Sequence, residues 1–174
     1  MSVNLQSSDF ELFGLPERFE QDRAAIDARW KELQREAHPD KFAAQGNAAQ
    51  RVAMQWSVRI NEAYRRLKDP LKRAAYLCEL RGSSIDAESN TAMPADFLVE
   101  QMEWRESLDE ARNQADLDAL ESELDRSRSE TLQHIAQLLD EQGDAAAAAK
   151  QVRALMFIER FGHDVEARID QLGQ

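Results

Sequence analysis

The chain has 174 residues, of which 43% are hydrophobic and 32% charged, with a net charge of −11 and few Gly or Pro. That length buries one core or two small ones, and the scarcity of turn residues favours helices over a run of short strands. The charge sets general nucleic-acid binding aside, because a polyanion is repelled at long range.

At the N-terminus no basic stretch precedes an apolar run, and acids come early at Asp9 and Glu11. Neither a signal nor a transit peptide is expected, and the cytoplasm is the expected location. Ser8 and Asp9 predict the cap of a short helix carrying Phe10, Leu12 and Phe13, closed by Gly14-Leu15-Pro16. Asp22 starts a second helix, where Ile26, Trp30, Leu33 and Ala37 share one face. Pro39 stops it, and residues 38–46 read as a loop. A third helix is expected over 47–68, with Val52, Trp56, Ile60, Ala63 and Leu67 as its buried stripe. Asp69-Pro70 marks a stop and a new start. The next helix carries Leu71, Ala74, Ala75, Leu77 and Cys78 and ends at Gly82.

Cys78 is the one cysteine, so neither an intrachain disulfide nor a cysteine cluster for zinc or iron–sulfur can form. In its apolar setting it reads as a small buried hydrophobe. Residues 83–93 are polar and aperiodic, which predicts a linker. Pro94 then opens three helices, over about 94–113, 116–141 and 144–172. Leu117, Leu120, Leu124, Ile135 and Leu138 line the middle one; Val152, Leu155, Val165 and Ile169 share a face of the last. Together they predict a three-helix bundle. The fold class is therefore all-α. No apolar run is long enough to cross a membrane. His134 and His163 stand apart from each other and from Cys78, so no metal or cofactor is expected.

Charge divides with the domains. Residues 1–82 hold 14 Lys and Arg against 12 Asp and Glu, whereas residues 83–174 hold 8 against 21. Halves that face different partners would carry such a split; so would acidic helices that are merely well solvated. Arg29, Lys31 and Arg35 give the second helix a polar face with Glu32 and Glu36 interleaved, and Lys41 follows the loop.

His38-Pro39-Asp40 occupies that loop. As a bare tripeptide it arises by chance in roughly one chain of this size in a hundred. Pro39 stiffens the backbone, and His38 and Asp40 present donors and acceptors, which suits docking on a partner. The alternative is a plain turn. An acid–base pair would need a substrate cavity, which a two-helix hairpin scarcely offers.

Context decides between these readings. Upstream stands Asp9-Phe10-Glu11-Leu12-Phe13-Gly14-Leu15, and downstream Ile60-Asn61-Glu62-Ala63-Tyr64-Arg65-Arg66-Leu67-Lys68-Asp69-Pro70. With helices in the order short, long, loop, long, residues 8–78 resemble the J-domain family. The continuation through Arg73-Ala74-Ala75-Tyr76-Leu77, the stretch Phe97 to Glu110 and Leu155-Met156-Phe157-Ile158 resembles the HscB co-chaperones over nearly the whole chain.

The resemblance implies a J-domain over 1–78, the end of a connecting helix and a linker over 79–93, and a scaffold-binding bundle over 94–174. It implies that His38, Pro39, Asp40, Arg29, Lys31, Arg35 and Lys41 meet an HscA/DnaK-type ATPase chaperone and stimulate its hydrolysis of ATP. It implies further that Leu98, Val99, Met102, Glu103, Glu106 and Phe157 hold an IscU-type scaffold protein during iron–sulfur cluster maturation. Such a protein is an adaptor, not an enzyme. Related proteins often carry Met and Leu where this chain has Val99 and Met102.

Helical phase gives those residues an independent reading. Stepped at about 100° per residue from Phe97, the residues Gln101, Trp104, Leu108 and Ala111 stay within about 40° and face the bundle. Leu98, Val99, Met102 and Glu106 fall about 100–200° away. Phe157 also lies off the centre of its own helix's stripe. These residues form either an exposed apolar patch or part of a broad buried arc. A structural interaction protein without chaperone activity is the competing class, but it has no need of His38-Pro39-Asp40.

Overall fold

A computed structural model of the chain describes residues 3–173. Among the described residues there is helix and no strand, and the chain divides into two compact units that meet between Leu77 and Cys78.

The first unit begins with α1 (Asp9–Phe13), whose N-cap Ser8 accepts from the Glu11 amide at 3.1 Å. Gly14 ends it in the left-handed conformation at φ 64°, which costs glycine nothing. Two long helices follow, α2 (Arg23–Ala37) and α3 (Asn47–Lys68). Asp22 caps α2 by accepting from the Ala24 amide at 3.0 Å. The two pair as an antiparallel hairpin along a polar seam. Asp27 accepts from the Tyr64 hydroxyl at 2.8 Å, the Trp30 indole donates to Asn61 at 2.9 Å, and Gln34 exchanges hydrogen bonds with Ser57 and Asn61. Ile26, Leu33, Ala53, Ile60, Ala63 and Leu67 form the apolar seam beside it.

Three residues depart from the expected stripes, and Trp56 is one of them, being only half-buried. Trp30 is only half-buried, stacked on Tyr64 with ring centroids 4.6 Å apart. Val52 is 52% exposed, in the wall of a cavity it shares with Leu33 and Phe42, and Ala53 takes the buried position. α4 (Pro70–Leu80) closes the unit, with Pro70 in its first turn.

Asp9 ties these elements together. Its carboxylate is fully buried; Arg66 grips it with two bonds of 2.6 and 2.8 Å, and Arg59 Nη2 lies 2.8 Å from Oδ1. The Asp9 amide donates to the Tyr76 hydroxyl of α4 at 3.0 Å, and Phe10 stacks on the Tyr76 ring. Asp9 raises the Arg66 pKa, and burial raises that of Tyr76.

The second unit is a bundle of α5 (Ala95–Glu110), α6 (Gln114–Ala136) and α7 (Ala145–Leu172). α5 stops earlier than its pattern predicts because Ala111 turns extended and Asn113 caps α6, accepting from the Asp116 amide at 2.9 Å. After α6, residues Gln137–Glu141 widen into a π-helical turn before Asp144 caps α7. Phe97 and Trp104 of α5, Leu117, Leu120 and Leu124 of α6, and Phe157, Ile158, Phe161 and Val165 of α7 share one core. Among the described residues, no helix is long and apolar enough to cross a membrane.

Asp9→Ala is expected to lower the stability of the first unit by about 3 kcal/mol, since it strands two partly buried guanidinium groups. The check is urea unfolding in a Trp104→Phe background, where Trp30 and Trp56 report that unit alone.

Candidate functional site

The connection between α2 and α3 is not the loop that the sequence predicts. It is a short 3₁₀ helix, Pro39–Gln45. Pro39 occupies its first position and holds His38 extended at φ −62°, ψ 128°, so His38 both ends α2 and caps the 3₁₀ helix. Its Nδ1 accepts from the Asp40 amide at 3.2 Å. In the neutral ring that acceptor role puts the proton on Nε2. Asp40 Oδ2 lies 3.7 Å from Nδ1, and the two side chains are 57% and 91% exposed. The fold therefore uses one edge of the imidazole and leaves the Asp40 carboxylate almost wholly to solvent.

The cations around the turn separate. Lys31, Arg35 and Lys41 are exposed. Arg29 is not on a common face with Lys31 and Arg35, as the sequence reading had it, because two and six residues turn a helix by about 200° and 240°. Its guanidinium pairs with Glu32 at 3.0 Å. It borders a cavity of about 550 Å3 whose walls include Leu33, Phe42, Val52 and Trp56.

In the second unit, α5 presents Leu98, Val99 and Met102 at 51%, 56% and 72% exposure, beside exposed Glu103 and Glu106. The alternative of a buried arc is excluded for these residues. Phe157 is the correction: it is 8% exposed and belongs to the core. Its ring meets Phe97 edge-on with centroids 5.8 Å apart, stacks on Phe161 at 5.8 Å, and lies under the Arg105 guanidinium at 5.4 Å. A helix that packs on two neighbours buries a wider arc than one stripe, and Phe157 falls inside it.

Sequence reasoning missed Arg153. It is buried on α7 and donates to the carbonyls of Ser84, Ile85 and Ala92. The signal was present: an arginine amid Val152, Ala154 and Leu155 needs acceptors where it is buried. The stretch read as a linker is thus pinned at three points. Cys78 is buried as expected, and burial pushes its thiol up to about 11. Among the described residues, no three His, Cys, Asp or Glu side chains are grouped to hold a metal ion.

A helical hairpin with His-Pro-Asp exposed in its turn, followed by a helical bundle with an apolar patch, defines the J-domain co-chaperones. Residues 93–166 match the family described as the HSCB C-terminal oligomerisation domain. The co-chaperone protein HscB homolog of Burkholderia multivorans is 53% identical over 173 residues, which cover 98% of each chain. The fold matches chaperone HscB from Vibrio cholerae with a TM-score of 0.80 and 37% identity, over 95% of this chain and 99% of that one. It matches the human co-chaperone protein HscB with a TM-score of 0.84 and 27% identity, over 97% and 85%. The chain belongs to the HscB co-chaperone family.

The division between core and patch has a direct measure. Phe157→Ala is expected to destabilise the bundle by about 3–5 kcal/mol. Leu98→Ala, Val99→Ala and Met102→Ala should each stay within about 0.5 kcal/mol of wild type. Urea unfolding followed by circular dichroism compares the four.

Proposed function

We propose that this protein stimulates the ATPase of an HscA/DnaK-type chaperone through one unit and delivers an IscU-type scaffold protein to it on the other. The setting would be iron–sulfur cluster maturation in the bacterial cytoplasm. The functional boundaries proposed are a J-domain over 1–78, a connection over 79–93 and a scaffold-binding region over 94–174.

The observation that carries this reading is the His38-Pro39-Asp40 turn. The 3₁₀ helix holds it in shape, yet the Asp40 carboxylate is 91% exposed and the outward edge of His38 is free of the fold's own hydrogen bonds. Donor and acceptor thus stand ready on a rigid backbone, so little ordering entropy opposes docking. Lys31, Arg35 and Lys41 give the approach its charge, which raises the encounter rate more than the affinity. Arg29, tied to Glu32 on another face of α2, contributes less to this approach. On the second unit, Leu98, Val99 and Met102 supply apolar anchors and Glu103 and Glu106 an acidic rim. Phe157 shapes that surface by fixing Phe97.

Steady-state ATPase of a purified HscA-type chaperone, with and without this protein, tests the proposal. Asp40→Asn should reduce stimulation to the basal rate with unfolding unchanged. His38→Gln should do the same while losing about 0.5–1 kcal/mol through the weakened cap. Normal stimulation by Asp40→Asn would sink the chaperone assignment.

Charge reversal separates the cations. Lys31→Glu with Arg35→Glu should slow association with the chaperone several-fold at low salt, and the difference should shrink as added salt screens it over about 8 Å at 0.15 M. Arg29→Glu should slow it less. Stopped-flow association rates that are flat across the salt series would rule out steering by this face.

A further inference from the structure

Arg153 is 6% exposed, and it donates to three main-chain carbonyls of one irregular segment. Nε donates to Ile85 at 3.0 Å, Nη1 to Ala92 at 3.0 Å and Nη2 to Ser84 at 3.3 Å. The rigid fork of the guanidinium matches three fixed acceptors in a way an ammonium cannot. Between the anchor points the chain turns tightly, with Asp86 at φ 42° and its carbonyl accepting from the Ser89 and Asn90 amides.

This segment leads straight into α5, whose start is poorly secured by its own sequence. Pro94 precedes the helix and offers no side-chain cap. The first-turn amides therefore lack the partner that Ser, Asp or Asn would supply. What holds the entry is Arg153 at Ala92, and Met93, which packs on the core and accepts from Gln101. Leu98 and Val99 lie in the opening turns of α5, and Met102 lies one turn further on. Loosening at Ala92 reaches the first two before the third.

We propose that Arg153 is a positioning residue for the scaffold-binding surface: it fixes the start of α5 and thereby places Leu98 and Val99. The inference rests on the reading of α5 as the face that meets an IscU-type scaffold protein.

Calorimetric titration of that scaffold into the full-length protein, with Arg153→Met or Arg153→Lys alone and combined with Leu98→Ala or Met102→Ala, tests it. Arg153→Met is expected to weaken binding about tenfold, and Arg153→Lys less. In the Arg153→Met background Leu98→Ala should add little, whereas Met102→Ala keeps its full effect. Hydrogen exchange gives a second readout that needs no partner. The amides of residues 99–102, which donate to the carbonyls of 95–98, should exchange about tenfold faster in Arg153→Met, with those of residues 121–124 in α6 unchanged. A residue that merely stabilises the unit would raise exchange throughout and leave both double mutants additive, and that result overturns the proposal. Should Arg153→Met fail to fold, Arg153→Lys carries the same cycles and the same exchange comparison. Absence of scaffold binding by the wild type would defeat the underlying reading, and the exchange pattern would still decide whether Arg153 fixes the helix start.

Discussion

A carboxylate sealed from solvent organises the first unit. Burying Asp9 carries a desolvation cost of several kcal/mol, which only close and complete pairing offsets. Arg66 provides a two-pronged grip and Arg59 a second cation, while Arg59 also donates to the carbonyls of Leu5 and Ser7. The cluster gives α1 a place. A five-residue helix has no stability of its own, because nucleation costs more than so few bonds return. Held at Asp9, it drives Phe10 and Phe13 into the core beneath α3 and α4. Cohesion is thereby supplied toward the C-terminal half of α3, and the turn at its other end need not serve it. That is why His38 and Asp40 can stand exposed without weakening the hairpin.

The same cluster changes the meaning of the charge count. Fourteen cations in residues 1–82 look like a basic surface. Arg59 and Arg66 are consumed by Asp9, Arg23 is bonded to Asp27, Arg29 to Glu32, and Arg73 is buried against the carbonyls of Phe19 and Leu67. Near the turn, Lys31, Arg35, Lys41 and Arg51 stand exposed and outside these pairings. Arg153 in the second unit shows the complementary solution: a buried cation balanced by carbonyl dipoles, with the backbone ordered in return.

Helical periodicity made most elements legible, since Ile26 and Leu33, or Ile60, Ala63 and Leu67, repeat at the spacing that a one-sided helix must have. Ser8, Asp22 and Asp144 mark starts for a local reason, a side chain that accepts from a first-turn amide. What periodicity cannot supply is the identity of the covering surface. Val52 is apolar and in phase with Trp56, yet it borders a cavity and is 52% exposed. Phe157 sits off its stripe, yet a second neighbour helix covers it. The exposed patch was legible as a phase difference along α5, but exposure itself depended on where α6 and α7 lie. Asp9 is hidden for another reason, since its pairing with Arg66 spans 57 residues and leaves no local pattern, and the apolar setting of Arg153 signals a need for acceptors without saying which carbonyls meet it.

The helix that carries Leu98, Val99 and Met102 is held on its buried side by a layer of aromatic side chains, Phe97, Trp104, Phe157 and Phe161, in edge-on and stacked contacts. That backing has an energetic consequence. Apolar area removed from water is worth about 25 cal/mol per Å2 only as a gross term, from which the ordering of both partners is subtracted. A helix already locked by its buried side loses little freedom when its outer side is covered, so more of the gross term survives as affinity. On the proposed reading of α5, the buried residues share in the work of this surface without touching the partner. Phe157 acts through Phe97, and the division between core and interface on α5 is a division of labour along a single helix.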